Sequence, residues 1–375
     1  MKQINVLVTD GDYKNTLAIV RCLGKRGIKV SVTSDKQNCL SSSSKFCEKN
    51  YNIGLPKEKH YIYKLRKLLI EEHFDVLLPV GFESCKEIIK NKKILEKYVT
   101  IPTVDYKKFI VAGRKDETAK FAERIDINIP KTIIITSEKD LNKIDFFPVV
   151  LKPPEECGGV KYAANKEELI DKYSKLKETY FYQSGNLIAQ EYIPGDNGYG
   201  FFGFYWKGKL ISYYIHKRLH MYPRSGGPST LACSYYNNQI YSQGKKILDT
   251  LRWHGVAMVE FKQHEKNKKF YLMEINPKYW GSLDLAIACG VEIPYYHVMY
   301  AIGKYIKPKK YITNIYFRWP DQDLWYALSG KNKILELFKW FRLFFDHKVK
   351  DNILLSDLGP TICLFKYGIR KILKR

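Results

Sequence analysis

The sequence lacks any apolar run long enough to cross a membrane. It has 375 residues, of which 45% are hydrophobic and 27% are charged, but no stretch of about 18 consecutive apolar residues, which a membrane-spanning helix needs. The apolar run in MKQINVLVTDG, residues 1–11, is also too short for a secretory signal and predicts a first β-strand. The composition is typical of a folded protein with two or three domains rather than of a disordered chain.

Paired cysteines are also missing. The eight cysteines are scattered along the chain, without Cys-x-x-Cys pairs or neighbouring histidine clusters. This pattern argues against a structural zinc site and against a disulfide framework, and it favours a reducing compartment. The sequence therefore predicts a cytoplasmic protein.

Acidic residues are scarce relative to basic ones. The chain has 63 Lys and Arg against 39 Asp and Glu, a formal net charge of +24, which predicts an anionic partner such as a nucleotide, an acidic glycan or an anionic lipid surface. The alternative is that many lysines simply cover solvated faces. A nucleic-acid partner is not expected, because the basic residues are spread along the chain and no RNP, zinc-finger or helix-turn-helix pattern is present.

The first hundred residues alternate between strand and helix patterns. Apolar runs at 4–12, 28–34 and 74–81 are separated by helical patterns at 15–26 and 61–72. Such alternation predicts a parallel sheet wound as in nucleotide-binding proteins. The first turn reads Asp-Gly-Asp rather than Gly-x-Gly-x-x-Gly, so a dinucleotide site is not predicted.

The middle of the chain changes to strand-rich patterns. Residues 107–123 predict one helix, and residues 146–165 predict two strands around a glycine-containing loop. A further helix is predicted at 166–178, and period-two strands follow at 186–218. Residues 256–276 then predict a β-hairpin, in which two apolar runs flank a polar turn.

The hairpin carries acidic side chains where a sheet face would be buried. Pairing its arms about the turn brings Glu260 near Glu274, and Asn276 shares a face with Glu274. Two carboxylates this close repel each other unless a cation lies between them or one of them is protonated. Their hard oxygen atoms, together with that of Asn276, suit Mg²⁺ completed by water and phosphate oxygens. The alternative is that both carboxylates pair with lysines on an exposed face.

At these residues the chain resembles the ATP-grasp superfamily of carboxylate–amine ligases, over roughly residues 1–300. Glu260 in MVEF and the Glu274 and Asn276 pair in MEINP match the magnesium ligands of that superfamily in type and order. The resemblance implies ATP with Mg²⁺ or Mn²⁺ as cofactors. It also implies attack by a substrate carboxylate on the γ-phosphate, followed by displacement of phosphate by an amine. In such sites positioning and charge neutralisation carry the rate.

The resemblance extends to the nucleotide site. It implies that one lysine in GRKDETAKFAER and a second in VVLKP contact nucleotide phosphate, and that a glycine-containing loop covers the triphosphate. It also implies that the linker AQEYIPG binds adenine through backbone groups and that polar side chains just after it bind the ribose. The residues assigned in this way are Lys115, Lys152, Gly158, Gly159, Gln190, Glu191, Tyr192, Ile193, Asp196 and Asn197.

Two positions depart from the family pattern. Lys278 follows Asn-Pro where family members often have Arg, so a point charge replaces a guanidinium fork that holds phosphate. Gln190 stands where Glu is common, which we expect to change the adenine contacts only modestly.

The loop at 216–230 is predicted to hold the acceptor or the γ-phosphate. Arg218 and Arg224 are its candidate carboxylate or phosphate holders, and together with Lys278 they form the predicted catalytic set. The alternative is a solvated charged loop. The loop resembles that of carbamoyl-phosphate-synthase-like members from surface-polysaccharide biosynthesis, which implies amidation of a sugar acid or amino acid. The rival functions are a kinase of the same fold, a basic nucleic-acid-binding protein and a binding module with a dead site.

The resemblance implies an α/β fold of the α+β grasp type in three parts. They are an N-terminal Rossmann-like pre-ATP-grasp domain at 1–105, a two-part ATP-grasp domain at 106–305 with a small subdomain at about 130–190, and a basic, aromatic helical extension at 306–375. The partners implied are an amine and a small-molecule or glycan-linked carboxylate. The oligomeric state stays open, with a homodimer among the alternatives.

The C-terminal tail predicts a separate property. Residues 301–375 contain 16 Lys or Arg against 6 Asp or Glu, and residues 332–347 and 361–375 place aromatic and aliphatic residues beside lysines at helical spacing. Such helices can lie in a membrane interface, attracted by anionic lipid. The alternative is that their apolar faces pack against the body of the enzyme. Peripheral attachment at the inner face of the membrane is therefore an expectation.

Overall fold

Three β-sheets organise the chain, and each is built from successive parts of the sequence. The computed structural model describes residues 3–155, 159–181, 186–195, 198–224 and 226–373. A parallel sheet near the N-terminus is followed by a small antiparallel sheet and then by a seven-stranded sheet that is mainly antiparallel. The mixed α/β architecture agrees with the predicted fold class.

The N-terminal sheet is parallel, as the alternating pattern predicts. Its strand order is β3-β2-β1-β4. Val6 and Val8 pack into the core on one face, and Leu7 packs into a separate core on the other. Both faces are thus covered, which is typical of parallel strands. The strands are β1 (Asn5–Val8), β2 (Lys29–Ser34), β3 (Cys47–Asn52) and β4 (Val76–Leu78), and the helices around them are Lys14–Gly24, Tyr61–Glu71, Phe82–Lys90 and Lys92–Leu95.

The single helix predicted at 107–123 is in fact two helices, so that prediction was wrong. They are Tyr106–Gly113 and Lys115–Arg124, separated at Arg114, whose backbone is extended with φ −106° and ψ 122°. The helical periodicity continues across the break, which explains why the sequence pattern did not show it.

Contacts with the small sheet explain the break. The backbone N–H of Lys115 donates to the carbonyl of Pro154 at 2.8 Å, and the guanidinium of Arg114 contacts Asp116 at 2.8 Å and Asn186 at 3.3 Å. These bonds pull the chain out of helical geometry for one residue. They also fix Lys115 at the first position of the second helix.

The small sheet has the strand order β5-β8-β6-β7 and is antiparallel. Its buried face packs against one helix, through Leu169, Tyr173 and Leu176. The elements are β5 (Thr132–Ile135), β6 (Val149–Lys152), β7 (Lys161–Ala163) and β8 (Leu187–Glu191), with the helix Lys166–Leu176 continuing as a wider turn at Lys177–Phe181.

The large sheet alternates its side chains between two cores. On β9, Phe202 and Phe204 belong to the core shared with the N-terminal sheet, whereas Phe201 and Tyr205 belong to the core under the helix Asn238–Thr250. This period of two is what the sequence pattern predicts. The strand order is β13-β12-β9-β10-β11-β14-β15, and the strands are β9 (Gly198–Trp206), β10 (Lys209–Met221), β11 (Ser229–Ser234), β12 (Gly255–Gln263), β13 (Phe270–Asn276), β14 (Tyr316–Arg318) and β15 (Val349–Asp351).

The residues after 306 form more than helices. Strand β14 pairs with β11, and β15 extends the sheet beyond it. Strands of three residues carry too little periodicity to be predicted from sequence. The remaining helices are Leu283–Ala288, Ile293–Ala301, Pro320–Leu328, Lys333–Arg342 and Gly359–Leu373. Within the described residues, none of the helices has the length and apolarity that crossing a membrane requires.

Candidate active site

The hairpin of β12 and β13 places two carboxylates opposite each other. Glu260 is the direct cross-strand partner of Glu274, and Asn276 follows on the same strand as Glu274. The ladder is irregular immediately after Glu260, a local distortion of the type that re-aims side chains next to functional sites. The predicted hairpin and the predicted closeness of the two glutamates are confirmed.

Each carboxylate meets a cation from a different part of the chain. Arg218, on β10, donates a short hydrogen bond from its guanidinium to Glu260. The Nζ atom of Lys115 lies 3.4 Å from Oε2 of Glu274. Asn276 donates from Nδ2 to Oε1 of Glu274 at 2.8 Å. The two negative charges are therefore neutralised separately, in a corner formed by three strands and one helix.

The two carboxyl groups have opposite shifts in pKa. Burial raises the pKa of Glu260, an effect that the Arg218 charge opposes and the neighbouring Glu274 reinforces. Burial also favours a raised pKa for Glu274, but Lys115 and the hydrogen bond from Asn276 outweigh it and lower the value to about 2. Glu274 is thus ionised at neutral pH, while Glu260 depends on Arg218 for its charge.

Lys152 lies at the end of β6 with only 6% of its surface exposed. Its Nζ atom donates to Oε1 of Gln190 at 2.6 Å, and Gln190 donates in turn to the hydroxyl of Thr132 at 3.0 Å. Burial and, to a smaller extent, the charge of Lys115 lower the pKa of Lys152 to about 8, and the charges of Glu274 and Glu260 oppose this. Among the described residues, the hydrogen-bond partner of this buried ammonium is a neutral amide, so the ammonium is poised to receive an anion.

The donor set of the corner fits a magnesium ion that carries phosphate. In the described part of the chain, no cluster of three or more His, Cys, Asp or Glu side chains is arranged to hold a metal. Two opposed carboxylates and one amide oxygen are the partial set of hard ligands that Mg²⁺ uses when water and substrate phosphate complete its shell.

The linker residues assigned to adenine lie at the edge of the small sheet. The N–H of Glu191 donates to the carbonyl of Lys131, and that of Tyr192 to the carbonyl of Pro148. Ile193 is buried. The N–H groups of Glu191 and Tyr192 are therefore already used within the protein.

The remaining nucleotide assignments concern loops. Gly159 has a φ of +77°, a conformation that glycine adopts without strain. Gly158, Asp196 and Asn197 lie outside the described residues, so their predicted contacts with the triphosphate and the ribose stay predictions.

Arg224 does not join the corner in this structure. Its guanidinium donates to the carbonyl of Tyr326 at 2.9 Å and to the hydroxyl of Ser329 at 3.2 Å, and it lies 3.7 Å from the ring centre of Tyr326. The side chain is thus held by the C-terminal part. Lys278 lines a small cavity of about 10 Å³ between the hairpin end and the N-terminal sheet, together with Pro79.

Lys14, whose charge interacts with that of Arg218, is a residue that the sequence pattern did not single out. Its Nζ atom lies 2.9 Å from Oε1 of Gln322 and 4.2 Å from the ring centre of Trp319. Burial lowers its pKa to about 8, an effect that Asp321 and other nearby acidic groups oppose. Contacts between residues about three hundred positions apart leave no trace in local periodicity. The only sequence signal is a lysine at the start of the first helix, directly after the Asp-Gly-Asp turn.

Comparison with known proteins shows what this geometry is similar to. Residues 213–320 match the family model described as ATP-grasp in the biosynthetic pathway with Ter operon, a segment that includes Glu260, Glu274 and Asn276. The biotin carboxylase domain of 2-oxoglutarate carboxylase from Hydrogenobacter thermophilus, crystallised with MgADP, ADP and bicarbonate, superposes with a TM-score of 0.70. The two share 17% identity, over 84% of this chain and 74% of that one. The segment that carries the opposed carboxylates is thus similar to ATP-grasp proteins, and the fold is similar to that of this biotin carboxylase domain.

Two further proteins to which this chain is similar are named as ligases. The D-aspartate ligase of Enterococcus faecium (strain Aus0004) is 24% identical over 258 residues, which cover 60% of this chain and 59% of that ligase. The L-amino acid ligase of Bacillus licheniformis has a TM-score of 0.63 and 15% identity, over 83% of this chain and 76% of that one. The match therefore spans less than two thirds of the length of the D-aspartate ligase.

Proposed function

We propose that the protein is an ATP-dependent ligase that joins a carboxylate to an amine through an acyl phosphate, forming ADP and phosphate. The observation that carries the proposal is the opposition of Glu260 and Glu274 on one hairpin, with Arg218 and Lys115 beside them. The likeness to a D-aspartate ligase and to an L-amino acid ligase supports the same reaction class.

ATP with Mg²⁺ or Mn²⁺ is the proposed cofactor set. Glu260, Glu274 and the amide oxygen of Asn276 would hold the divalent ion, which supplies charge neutralisation between phosphate groups when bound. Lys115 now contacts Glu274. With Glu274 holding a divalent ion, Lys115 would be available to bind a phosphate oxygen. The relative crystallised with MgADP is consistent with this set.

The protein's own groups act by position and charge. Lys152 is buried and bound to the neutral Gln190, so it can turn to a phosphate oxygen without breaking an ion pair. A carboxylate oxygen of the substrate attacks the γ-phosphorus and the bond to ADP breaks. The amine nitrogen then attacks the acyl carbon, phosphate leaves and the nitrogen loses a proton. Arg218 and Lys278 would neutralise charge on the transferring group.

The adenine contact would be made through the linker between the two halves of the site. Because the N–H of Glu191 is used by Lys131, Glu191 would accept the adenine amino group with its carbonyl oxygen, and Ile193 would donate its N–H. Gln190 would approach the amino group from β8. The ring of Tyr192, with Lys262 over it at 4.7 Å, would border the same pocket.

The proposed substrates are an amino acid or sugar acid and an amine, in small-molecule or glycan-linked form. Arg218 is the proposed holder of the acceptor carboxylate, because it already binds one carboxylate in the corner. Arg224 stays a prediction for that role, since Tyr326 and Ser329 hold it in this structure. We propose a cytoplasmic location, with the peripheral membrane contact predicted for the tail as a separate proposal.

A screen of ADP release with pairs of carboxylates and amines tests the function. The proposal expects ADP and phosphate only when both substrates are present, and no turnover by Glu274→Ala. Glu265→Ala is the matched control, since Glu265 is exposed on the turn of the same hairpin and its loss should leave turnover intact. ADP release with a hydroxyl compound alone would indicate the alternative, a kinase. Equal turnover by Glu274→Ala would reject the placement of the metal site.

A further inference from the structure

One helix of the C-terminal part exposes its apolar side chains. The helix Lys333–Arg342 has no buried residue. Ile334 is 84% exposed, Phe338 65%, Phe341 56% and Phe345, just after the helix, 75%. Spacings of four and three residues place Ile334, Phe338 and Phe341 in one row along the helix, and Phe345 follows three residues after its end. We call these four side chains the apolar stripe.

The opposite face of this helix is fastened to the body. The guanidinium of Arg318, which is fully buried, donates to the carbonyl of Trp340 at 2.6 Å. The indole N–H of Trp340 donates to the carbonyl of Pro320 at 3.3 Å, and Glu336 lies 3.7 Å from the guanidinium of Arg224. Turning the stripe inward would break these contacts, so its exposure is fixed by the packing of the other face.

A row of exposed phenylalanines is unusual on a folded surface. Burial of such a side chain is favourable, and contiguous exposed apolar surface normally marks an interaction site. From the sequence alone, the apolar side chains of this segment could also pack against the body of the protein. Trp340 does so, whereas the four side chains of the stripe are exposed.

Basic residues frame the stripe. Residues 331–350 contain six Lys or Arg against two Asp or Glu, and Lys333, Lys339 and Arg342 are exposed on the helix itself. A row of apolar side chains with cations at its margin is complementary to the surface of an anionic bilayer. The apolar side chains would contact the acyl chains, and the basic side chains would contact the lipid phosphates.

We infer that the apolar stripe, framed by Lys333, Lys339 and Arg342, docks the protein on an anionic lipid surface. The inference does not depend on the proposed ligase reaction. A second copy of this chain fits the same surface less well. A two-fold contact would set the same basic residues opposite each other across the interface, in a protein of net charge +24.

Co-sedimentation of the full-length protein with vesicles tests the inference. The wild type should pellet with vesicles containing phosphatidylglycerol and stay in solution with phosphatidylcholine alone. The Phe338→Glu/Phe341→Glu double variant should lower the partition coefficient by about a hundredfold or more, because the burial of each phenylalanine contributes about tenfold. The matched control is Tyr63→Glu, since Tyr63 is 67% exposed on a helix of the N-terminal sheet. This variant adds one acidic charge away from the stripe. Its partition coefficient should stay within about twofold of the wild-type value, because salt screens the interaction between distant charges.

A charge variant keeps the test independent of the phenylalanines. Replacing Lys333, Lys339 and Arg342 by Gln should weaken partition to phosphatidylglycerol vesicles by about fivefold per charge. Unchanged partition of both variants, or absence of binding by the wild type, would overturn the inference. So would a wild-type dimer in sedimentation velocity that Phe338→Glu dissociates while vesicle binding persists, because the stripe would then be a contact between copies.

Discussion

The hairpin corner and the apolar stripe depart from ordinary protein surfaces in opposite ways. In the corner, carboxylates and ammonium groups lie inside the protein, at Glu260, Glu274 and Lys152. On the stripe, phenylalanines lie outside, at Phe338 and Phe345. Each arrangement is unfavourable for the isolated chain, because burial penalises charge and water penalises apolar surface.

The two regions differ in whether the protein itself offsets the unfavourable burial or exposure. In the corner, Arg218 and Lys115 supply counter-charges to the two buried carboxylates. On the stripe, the four side chains are exposed within the part of the chain that the structure describes, and the reverse face of the helix contacts the body through Trp340. This contrast supports the two proposals: a ligand would exchange partners with the charged groups of the corner, whereas a lipid surface would add contacts to the stripe.

Removing a corner carboxylate should have the largest effect. Glu274→Ala should lower the rate of ADP release on the order of 10²–10³-fold, the range typical for loss of one preorganised electrostatic group at a reacting phosphate or carbonyl. Steady-state measurement at saturating ATP checks this, with Glu265→Ala as the control. A rate within twofold of wild type, which is about the scatter expected for a surface substitution, would show that the corner is structural.

Loss of the buried lysine should act on ATP binding. Lys152→Met should raise the KM for ATP by about 10–100-fold, since a hydrogen bond to a charged group contributes about 1.5–3 kcal/mol. The free energy of unfolding of the nucleotide-free protein should not fall, because the charge is desolvated and its hydrogen-bond partner among the described residues is the neutral Gln190. Lys161→Met, at an exposed position on β7, is the matched control. A large decrease in the free energy of unfolding with an unchanged KM for ATP would show that Lys152 stabilises the fold rather than binding ATP.

The lowered pKa of Lys152 predicts a pH dependence of nucleotide binding. With a pKa of about 8 in the free protein, the side chain is charged below pH 8 and loses its proton above it. Bound phosphate favours the charged form, so binding takes up a proton. ATP affinity should fall by about tenfold per pH unit above 8. Titration calorimetry in buffers of different ionisation enthalpy measures this uptake. Lys152→Arg should abolish the dependence, and an unchanged slope in that variant would assign it to another group.

The smallest effect is expected on the stripe. Phe338→Ser should change the free energy of unfolding in lipid-free buffer by no more than about 0.5 kcal/mol, as at other exposed positions. The reference is Phe202→Ala, whose side chain is fully buried and whose truncation should destabilise by about 3–5 kcal/mol. Chemical denaturation measures both. Comparable losses in the two variants would mean that Phe338 packs against the protein in solution.

The periodicity of apolar residues was sufficient to predict the elements that depend on neighbouring residues in the sequence. Alternating apolar residues predicted the hairpin, and the pairing of its arms placed Glu260 opposite Glu274. The parallel N-terminal sheet followed from alternating strands and helices.

Long-range contacts were not predictable in this way. The break between the two helices at Arg114 depends on Pro154 and Asn186, which belong to the small sheet region. The position of the Lys14 side chain depends on Gln322, which lies 308 residues later in the chain. The position of the Arg224 side chain could not be predicted from neighbouring residues either, because its partners Tyr326 and Ser329 lie about one hundred residues later in the chain.

Metal-dependent nucleotide binding tests the central claim most directly. Titration of a non-hydrolysable ATP analogue, with and without Mn²⁺, can be followed by the electron paramagnetic resonance of the ion. The wild type should bind the analogue more tightly with Mn²⁺ present and immobilise the ion. Glu260→Gln/Glu274→Gln, which keeps side-chain volume while removing both charges, should lose this dependence on Mn²⁺. An unchanged metal dependence in the double variant would contradict the claim that these two carboxylates hold the ion.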